Sequence, residues 1–349
     1  MLFLGAGASK PLGIPAMKDF TQAVLNDMER RKVNFEPIVS IIQAGVRKFG
    51  VEPDIEAVLT ILDGKVKPRQ NLENLGAQLI EFPKEFREVR EQDLAWLVMN
   101  EIEDSIYNIC SQVIPQMATK LYSGLWKVLS SPMSIPYQKG STTILPAGSL
   151  SRRVFTTNYD LSVEMFLRSQ NAGFDEGFRI DDSGENSFAN LWSNEQVQLV
   201  KLHGSINYYL MENGKIVKSN ARLKHTDLYG ERVREQMMIY PMGEKYATRR
   251  PFYEALGQLR TALAQETLCI AIGYSFRDIA INNAFLDAIQ VNSRLRIVLI
   301  SPSADRIRGT LDPRFQERTI TLPRSVEDGL LPNGIAEVVS TSYPEVEVS

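Results

Sequence analysis

The stretch that decides the fold is Met1–Ser9, which reads MLFLGAGAS: four apolar residues run directly into a glycine turn. A short apolar run predicts a buried strand, and glycines let the backbone turn sharply or approach a ligand closely. Such a turn between a strand and a helix is typical of a phosphate-binding site, although the same residues also fit a tight turn that binds nothing. Because the run starts at position 1, we expect that position to lie inside a core strand, with a few native residues ahead of it.

The ordinary dinucleotide-binding fingerprint is incomplete in this turn. Lys10 stands where the third glycine belongs, and no acidic residue ends a second strand about 20 residues further on. The turn therefore does not predict an ordinary dehydrogenase.

Further along the chain, short apolar strands alternate with helical segments. We predict strands at 154–157, 197–202, 237–240, 268–272 and 295–300, and helices at 17–31, 161–169, 252–265 and 278–290. This alternation favours an α/β fold with a Rossmann-like parallel sheet flanked by helices.

A block of helical segments interrupts this pattern. Helical spacing of apolar residues predicts helices at 36–49, 54–63, 72–90 and 93–114. Prolines and a glycine between 132 and 146 predict a loop. The predicted division is an α/β domain over 1–34 and 140–325, an inserted helical module over 35–139, and a C-terminal tail over 326–349.

The composition narrows the class of protein. The 349 residues carry 39 Lys and Arg against 42 Asp and Glu, a net charge of -3. They lack the basic excess of a protein that binds nucleic acid or a membrane surface. Cys110 and Cys269 are the two cysteines, so a four-cysteine zinc site cannot form. No apolar run reaches ~20 residues and no signal peptide is visible, so we expect a cytoplasmic protein that does not contact a membrane. From the charge balance we expect no direct contact with nucleic acid, and we expect no metal.

Two polar turns follow predicted strands at the edge where parallel sheets bind ligands. In Thr157-Asn158-Tyr159-Asp160, an amide and a carboxylate two residues apart can point into one cleft, or Asp160 can simply cap the next helix. The second turn contains His203-Gly204, and histidine is the side chain best suited to proton transfer near neutral pH. A lone histidine also fits a structural role.

A third turn follows the most apolar strand. Gly273-Tyr274-Ser275 is a glycine–hydroxyl turn, and Arg277 after it is a candidate phosphate partner. Asp278 is most simply the cap of the following helix. Ser301 ends the next strand at the same predicted edge.

Taken in order, these turns resemble the sirtuin-like superfamily, and the resemblance spans Leu2 to about Ser303. The residues that carry it are Gly5, Ala6, Gly7 and Ser9 of its first phosphate loop, the Gly13-Ile14-Pro15 that follows, Asn158 and Asp160 of its Thr-Gln-Asn-x-Asp motif with Thr157 in place of glutamine, His203-Gly204, Gly273 and Ser275 of its Gly-Thr-Ser turn, and Ser301. The implied fold is a Rossmann-like sheet that binds NAD, with a smaller inserted module.

The departures from this pattern point away from the zinc-containing deacylases. Ala16-Met17-Lys18 stands where the deacylases have Asp-Phe-Arg, the four zinc cysteines are missing, and no peptide-binding strand is recognisable at Ser205–Tyr208. The helical block resembles instead the insertion in bacterial sirtuin-like NAD hydrolases of anti-phage defence. Those enzymes deplete cellular NAD, an abortive-infection response, and often act beside a HerA-type DNA translocase ATPase or an Argonaute.

The resemblance implies hydrolysis of the nicotinamide–ribose bond of NAD as substrate, without a metal. His203 would be the general base, Asn158 would hold the nicotinamide ribose and orient the attacking water, and Asp160 would help fix that end of the substrate. The residues implied to hold the remaining parts of NAD are Gly5, Ala6, Gly7, Ser9, Thr157, Gly273, Ser275 and Ser301.

Control of such an activity implies a homo-oligomer or a partner protein. The alternatives are an NAD-dependent protein deacylase and a non-catalytic NAD or ADP-ribose sensor. Cyclisation to a cyclic ADP-ribose is a variant of the leading hypothesis.

Overall fold

We describe the fold from a computed structural model of the chain. It describes residues 1–34, 36–49, 54–66, 91–130, 133–138, 141–145, 152–223, 233–239 and 249–329. The predicted helix over 72–90 and the predicted tail beyond residue 329 lie outside these ranges.

The secondary structure follows the predicted alternation closely. The strands in the described ranges are β1 (Leu2–Leu4), β2 (Met133–Gln138), β3 (Ser141–Leu145), β4 (Arg153–Thr156), β5 (Phe174–Asp175), β6 (Phe178–Ile180), β7 (Asn186–Phe188), β8 (Val197–Lys201), β9 (Gly204–Met211), β10 (Ile216–Lys218), β11 (Val233–Met238), β12 (Leu268–Ile272), β13 (Arg296–Ile300) and β14 (Thr319–Leu322). The α-helices there are α1 (Met17–Arg30), α2 (Glu36–Phe49), α3 (Ile55–Val66), α4 (Glu91–Cys110), α5 (Pro115–Leu129), α6 (Ser162–Ser169), α7 (Phe252–Gln265), α8 (Ile279–Val291), α9 (Ala304–Gly309), α10 (Pro313–Arg318) and α11 (Val326–Gly329).

Seven strands form one parallel sheet, in the order β14-β13-β12-β1-β4-β8-β5. Every neighbouring pair runs parallel, and Leu2 of β1 lies opposite Ile270 on one side and Val154 on the other. The central strands are apolar and buried, as expected for a parallel sheet covered by helices on both faces. The predicted α/β class, with a Rossmann-like parallel sheet flanked by helices, is confirmed.

The strand order reverses beside β1. The earlier strands β4, β8 and β5 lie on one side of β1, and the later strands β12, β13 and β14 lie on the other. In open α/β sheets, ligands bind at the carboxyl ends of the strands beside such a reversal. The fold therefore singles out the turns that follow β1, β4 and β12.

A second, antiparallel sheet was not predicted. Its order is β11-β9-β10-β7-β6, and β9, which starts at Gly204, is paired on both sides. The strand predicted at 237–240 belongs to this sheet and runs from Val233 to Met238. Local apolar patterns indicate a strand but do not say which strand it pairs with, so this sheet could not be read from the sequence.

The predicted loop between 132 and 146 is wrong for the residues described there. Strands β2 and β3 pair as an antiparallel hairpin, with Pro136 opposite Thr142. A two-stranded ladder leaves one side of each strand unpaired, and a proline that faces this side removes no ladder bond. The β-branched run from Thr142 to Ile144 favours the extended conformation.

The chain falls into two compact units. One comprises Met1–Gly13, Val113–Met238 and Tyr246–Ser349, and the other comprises Ile14–Gln112 and Ile239–Lys245. The first contains the sheets and α5, and the second contains α1 to α4. These units are defined by which residues contact one another, whereas the predicted division describes one module inserted into another. The predicted boundaries at 34/35 and 139/140 therefore stay a prediction.

A buried aspartate joins α1 to α4 within the helical unit. Asp27 accepts hydrogen bonds from Arg31 at 2.9 Å and from Asn108 at 3.2 Å. Burial acts to raise the pKa of Asp27, but hydrogen bonds from Arg30, Asn108, Ser105 and Arg31 outweigh it and hold that pKa below the ordinary 3.8. None of the helices in the described ranges combines the length and apolar character needed to cross a bilayer.

Candidate active site

The two glycine turns beside the strand reversal interlock. The Gly5 N–H donates to the Ile272 carbonyl and the Gly7 N–H donates to the Gly273 carbonyl, each at 2.9 Å. A Cβ on Gly7 would lie 2.8 Å from the Gly273 Cα, and one on Gly273, whose φ is +62°, would lie 2.3 Å from the Ala8 nitrogen. The glycines are therefore required for the two turns to pack together. The predicted contact with a diphosphate stays a prediction.

The backbone after β1 also differs from the expected strand–turn–α-helix unit. A 3-10 helix covers Ala6–Leu12, and α1 begins only at Met17. The tight 3-10 turn buries the Ser9 side chain, which is 1% exposed. Ser9 therefore faces the protein interior at the end of β1.

Asn158, which follows β4, is held by the first glycine turn. Its Nδ2 donates to the Gly5 carbonyl at 3.0 Å and to the Ser9 Oγ at 2.8 Å. Because a carbonyl oxygen only accepts, this pair of bonds fixes which end of the amide is nitrogen. The Oδ1 atom is buried and accepts no hydrogen bond from the described residues. Asn158 thus presents an oriented acceptor at the end of β4.

Asp160 fixes the Ser9 hydroxyl that holds Asn158. Ser9 Oγ donates to Asp160 Oδ2 at 2.6 Å, and the Ser162 N–H donates to Asp160 Oδ1 at 2.9 Å. The carboxylate is 4% exposed. Both oxygens of Asp160 are therefore engaged: one binds the backbone at the start of α6, and the other holds Ser9, which accepts from Asn158.

A buried lysine connects this turn to the next strand. Lys201, at the end of β8, donates to the Asp160 carbonyl at 2.6 Å, to Glu164 Oε1 at 2.8 Å and to Ser205 Oγ at 2.9 Å. The Lys201 side chain is 0% exposed and that of Glu164 is 2% exposed. Burial raises the pKa of Glu164, and the Lys201 ammonium acts against that shift. The pair couples the backbone of the Asn158 turn to β8 and β9.

His203 follows β8 and is buried beside a carboxylate. Its Nε2 lies 3.1 Å from Asp278 Oδ2, and the exposed fractions of the two side chains are 6% and 5%. The Tyr159 ring lies near the histidine, tilted by 41°, with the ring centroids 6.4 Å apart. Asp278 comes from the start of α8, so this pair joins the loop after β8 to the loop after β12.

The remaining predicted site residues lie at the same edge of the sheet. Thr157 is buried and its N–H donates to the Leu4 carbonyl at 3.0 Å. Ser275 is exposed in the turn after β12, and Ala6 is half-buried in the turn after β1. Ser301 follows β13, and its Oγ accepts from the Ser303 N–H at 3.2 Å. These positions agree with a ligand-binding edge, and their contacts with NAD stay a prediction.

Sequence reasoning missed two residues of this site. Asp278 was interpreted only as a helix cap, and it is one, since its Oδ1 accepts from the Ile281 N–H. Nothing in the sequence around Asp278 indicated that its second oxygen would face His203. Lys201 did have one, because a lysine that ends an apolar, buried strand needs a partner for its charge. No group of three or more His, Cys, Asp or Glu in the described residues is arranged to hold a metal ion.

The fold and these turns define a Rossmann-like α/β protein with a polar site at the carboxyl edge of its sheet. Residues 152–321 match the SIR2-like domain family. This part of the chain is therefore a SIR2-like domain, which agrees with the sirtuin-like resemblance that the order of the turns indicated. No curated protein matches the chain.

Solved structures of Sir2 homologues are similar to the chain over most of its length. A Sir2 homologue in complex with NAD is 12% identical, covering 98% of this chain and 89% of its own, with a TM-score of 0.46. A variant of a Sir2 homologue in complex with 2′-O-acetyl ADP-ribose is 14% identical, covering 97% and 91%, with a TM-score of 0.44. Another variant, in complex with ADP-ribose, is 13% identical, covering 98% and 92%, with a TM-score of 0.44.

Proposed function

We propose that the protein is an NAD glycohydrolase. It binds NAD as substrate and cleaves the nicotinamide–ribose N-glycosidic bond with water, giving nicotinamide, ADP-ribose and a proton. The observation that carries the proposal is the Asn158 amide, whose nitrogen is tied to Gly5 and Ser9 while its buried Oδ1 has no donor among the described residues. A buried acceptor without a partner costs free energy unless a bound group supplies a hydrogen.

Each polar residue then has a task that suits its surroundings. Asn158 Oδ1 accepts a hydrogen from the attacking water or a ribose hydroxyl and so orients it toward the anomeric carbon. His203 takes the proton released as the new C–O bond forms. Nicotinamide departs easily because its ring nitrogen is cationic in NAD and becomes neutral as the C–N bond breaks. Asp160 acts through Ser9 and orients Asn158 rather than the substrate.

The interlocked glycine turns fit the other half of the substrate. Gly5, Ala6, Gly7 and Gly273 bring backbone close to the carboxyl edge without side chains in the way. Ser275 and Ser301, at the ends of β12 and β13, supply hydroxyls for the diphosphate and the adenosine ribose. Arg277, which is exposed after the second turn, supplies a positive charge near the diphosphate.

A protein deacylase is disfavoured by the pairing of β9. A substrate peptide that adds to a strand needs a free edge, and β9 is bonded to β10 on one side and to β11 on the other. The whole chain also contains only two cysteines, Cys110 and Cys269, both buried. The discriminating measurement is nicotinamide release with and without an acyl-lysine peptide. A requirement for the peptide would contradict the hydrolase proposal.

A non-catalytic sensor is disfavoured by the buried His203–Asp278 pair, since a binding protein needs no base. Incubating the purified chain with NAD and separating the products by chromatography tests the main proposal directly. Nicotinamide and ADP-ribose in equal amounts are expected, whereas cyclic ADP-ribose would indicate cyclisation. Binding of NAD without turnover, in every assembly state tried, would support the sensor.

We further propose that the activity serves anti-phage defence by depleting NAD in the cytoplasm. Unrestrained hydrolysis of NAD would harm the cell that makes the enzyme, so control by a homo-oligomer or by a partner such as a HerA-type translocase or an Argonaute is expected. The test compares turnover by the chain alone with turnover in the presence of its genomic neighbour and DNA. Equal rates in both would contradict control by that partner.

A further inference from the structure

The two carboxylate oxygens of Asp278 do different things. Oδ1 accepts from the Ile281 N–H at 3.0 Å and caps α8. Oδ2 lies 3.1 Å from Nε2 of His203, 75 residues away in the sequence. A helix cap uses one oxygen and is as well served by asparagine or serine as by aspartate. The cap therefore does not account for a carboxylate whose second oxygen is buried against a histidine.

We propose that Asp278 is a positioning residue that fixes the neutral tautomer of His203. An ionised carboxylate only accepts hydrogen bonds, so the facing Nε2 must carry the hydrogen and the lone pair of the neutral ring must be on Nδ1. Nδ1 is then the atom that takes the proton in the proposed hydrolysis. This inference rests on the proposed function for its role, but not for its geometry.

The Asp278–His203 pair also stabilises the protonated form of the histidine ring. When Nδ1 takes a proton, the imidazolium is already hydrogen-bonded to a carboxylate, which stabilises the positive charge in a buried site. Asp278 and His203 thus form a base with a set tautomer and a set orientation.

Asp278→Asn is the decisive variant because it replaces the acceptor that faces Nε2 with a donor and still keeps the helix cap. The amide oxygen can still accept from Ile281, which leaves the amide nitrogen to donate to Nε2 and forces the hydrogen onto Nδ1. We expect kcat for nicotinamide release to fall by about 10²–10⁴ while KM for NAD changes by less than about threefold. Asp278→Ser also keeps a capping oxygen but has no second polar atom to occupy the place of Oδ2 beside the ring, so its loss should be smaller.

The tautomer itself can be measured without any substrate. The chain has only two histidines, so the ¹⁵N spectrum of the ring-labelled full-length protein contains two sets of signals, and His203→Asn assigns them. We expect the Nε2–H form in the wild type and the Nδ1–H form in Asp278→Asn. A wild-type ring in the Nδ1–H form would overturn the proposal whether or not the protein hydrolyses NAD.

The matched control is Asp312, which caps α10 by accepting from the Arg314 N–H at 3.0 Å. Asp312→Asn makes the same chemical change at a half-buried cap away from the site and should leave kcat and the His203 signals unchanged. If the wild type is active and Asp278→Asn keeps its kcat, the positioning role is wrong and the hydrolase proposal stands. If Asn and Ser at 278 lower kcat equally with unchanged tautomers, Asp278 is only a structural residue.

Discussion

At the scale of the residue, Asn158 shows how a common side chain becomes a specific acceptor. Both of its N–H bonds point to protein oxygens, of Gly5 and of Ser9, and this leaves a single orientation for the amide. Ser9 is itself oriented because its hydroxyl donates to Asp160. The chain of hydrogen bonds therefore removes the rotational freedom that an exposed asparagine would have.

Asn158→Ala and His203→Ala are each expected to abolish nicotinamide release without unfolding the protein. The first removes the oriented acceptor, and the second removes the base, a deletion that usually lowers rates by about 10²–10⁴. Nicotinamide release and the circular dichroism spectrum measure the two effects separately. Asn26→Ala, on the exposed face of α1, is the control and should behave as the wild type. Full turnover by His203→Ala would contradict the assignment of the base.

At the scale of the element, the interlocked turns after β1 and β12 explain why glycine occurs at both. Their backbones approach so closely that a single added carbon would overlap main-chain atoms. This is a requirement of packing, whereas the sequence pattern suggested close approach to a ligand. Close packing of the turns and close approach to a ligand both require glycine, so the sequence pattern alone does not distinguish them.

Gly273→Ala is expected to destabilise the protein by more than the cost of its positive φ. Gly184 supplies the comparison because its φ is +83° and an added Cβ would contact nothing within 4 Å. Gly184→Ala should cost about 1–2 kcal/mol, the usual penalty for that backbone region. Chemical denaturation and NAD binding should show a larger loss for Gly273→Ala, together with weaker binding. Equal losses of stability would mean that the turns can separate freely.

The ion pair of Lys201 and Glu164 holds the turn that carries Asn158. Lys201→Met leaves a buried carboxylate without its cation, and removing one partner of such a pair typically costs about 3–5 kcal/mol. The double variant Lys201→Met, Glu164→Gln removes both charges and should recover part of this loss in a denaturation experiment. A double variant no more stable than Lys201→Met would show that the pair matters through its hydrogen bonds to the Asp160 carbonyl and Ser205 instead.

Element bounds were more predictable than element partners. The helix over 36–49 and the strand over 268–272 have the predicted bounds, because apolar spacing is a local property of the chain. The hairpin of β2 and β3 and the antiparallel sheet around β9 were missed. A strand's own pattern does not say which strand lies beside it, so these pairings could not be predicted from any one segment.

At the scale of the whole molecule, the family match and the contact-based units describe different parts. Apart from Ile239–Lys245, the SIR2-like match over 152–321 falls in the unit that contains the sheets, while α1 to α4 lie in the other unit. The chemistry proposed above depends on the sheet unit. Whether the helical unit provides the expected control by an oligomer or partner needs a separate experiment.

Acid stability should depend on the buried Asp27. Its pKa in the folded protein is below the ordinary 3.8, so the unfolded chain binds a proton first as the pH falls. The resulting stabilisation is present above 3.8 and is lost as the pH falls through the lower, folded pKa. Asp27→Asn should therefore weaken the protein at neutral pH and reduce the loss of stability on acidification, measured by denaturation from pH 6 downward. Asp19→Asn, on the same helix, is the control, and an unchanged pH dependence for Asp27→Asn would contradict the prediction.

The sequence by itself determined the α/β class and the order of the polar turns, and it indicated the sirtuin-like resemblance, because strand length, helical spacing and glycine turns are local properties. The tertiary structure alone decided how those turns act on one another. Ser9 meets Asn158 and Asp160 across about 150 residues, and His203 meets Asp278 across 75. Hydrogen bonds at the carboxyl edge depend on strand order and on side-chain direction. Neither is encoded within any single stretch of the chain, so only the assembled sheet could assign the oriented amide and the carboxylate beside the histidine.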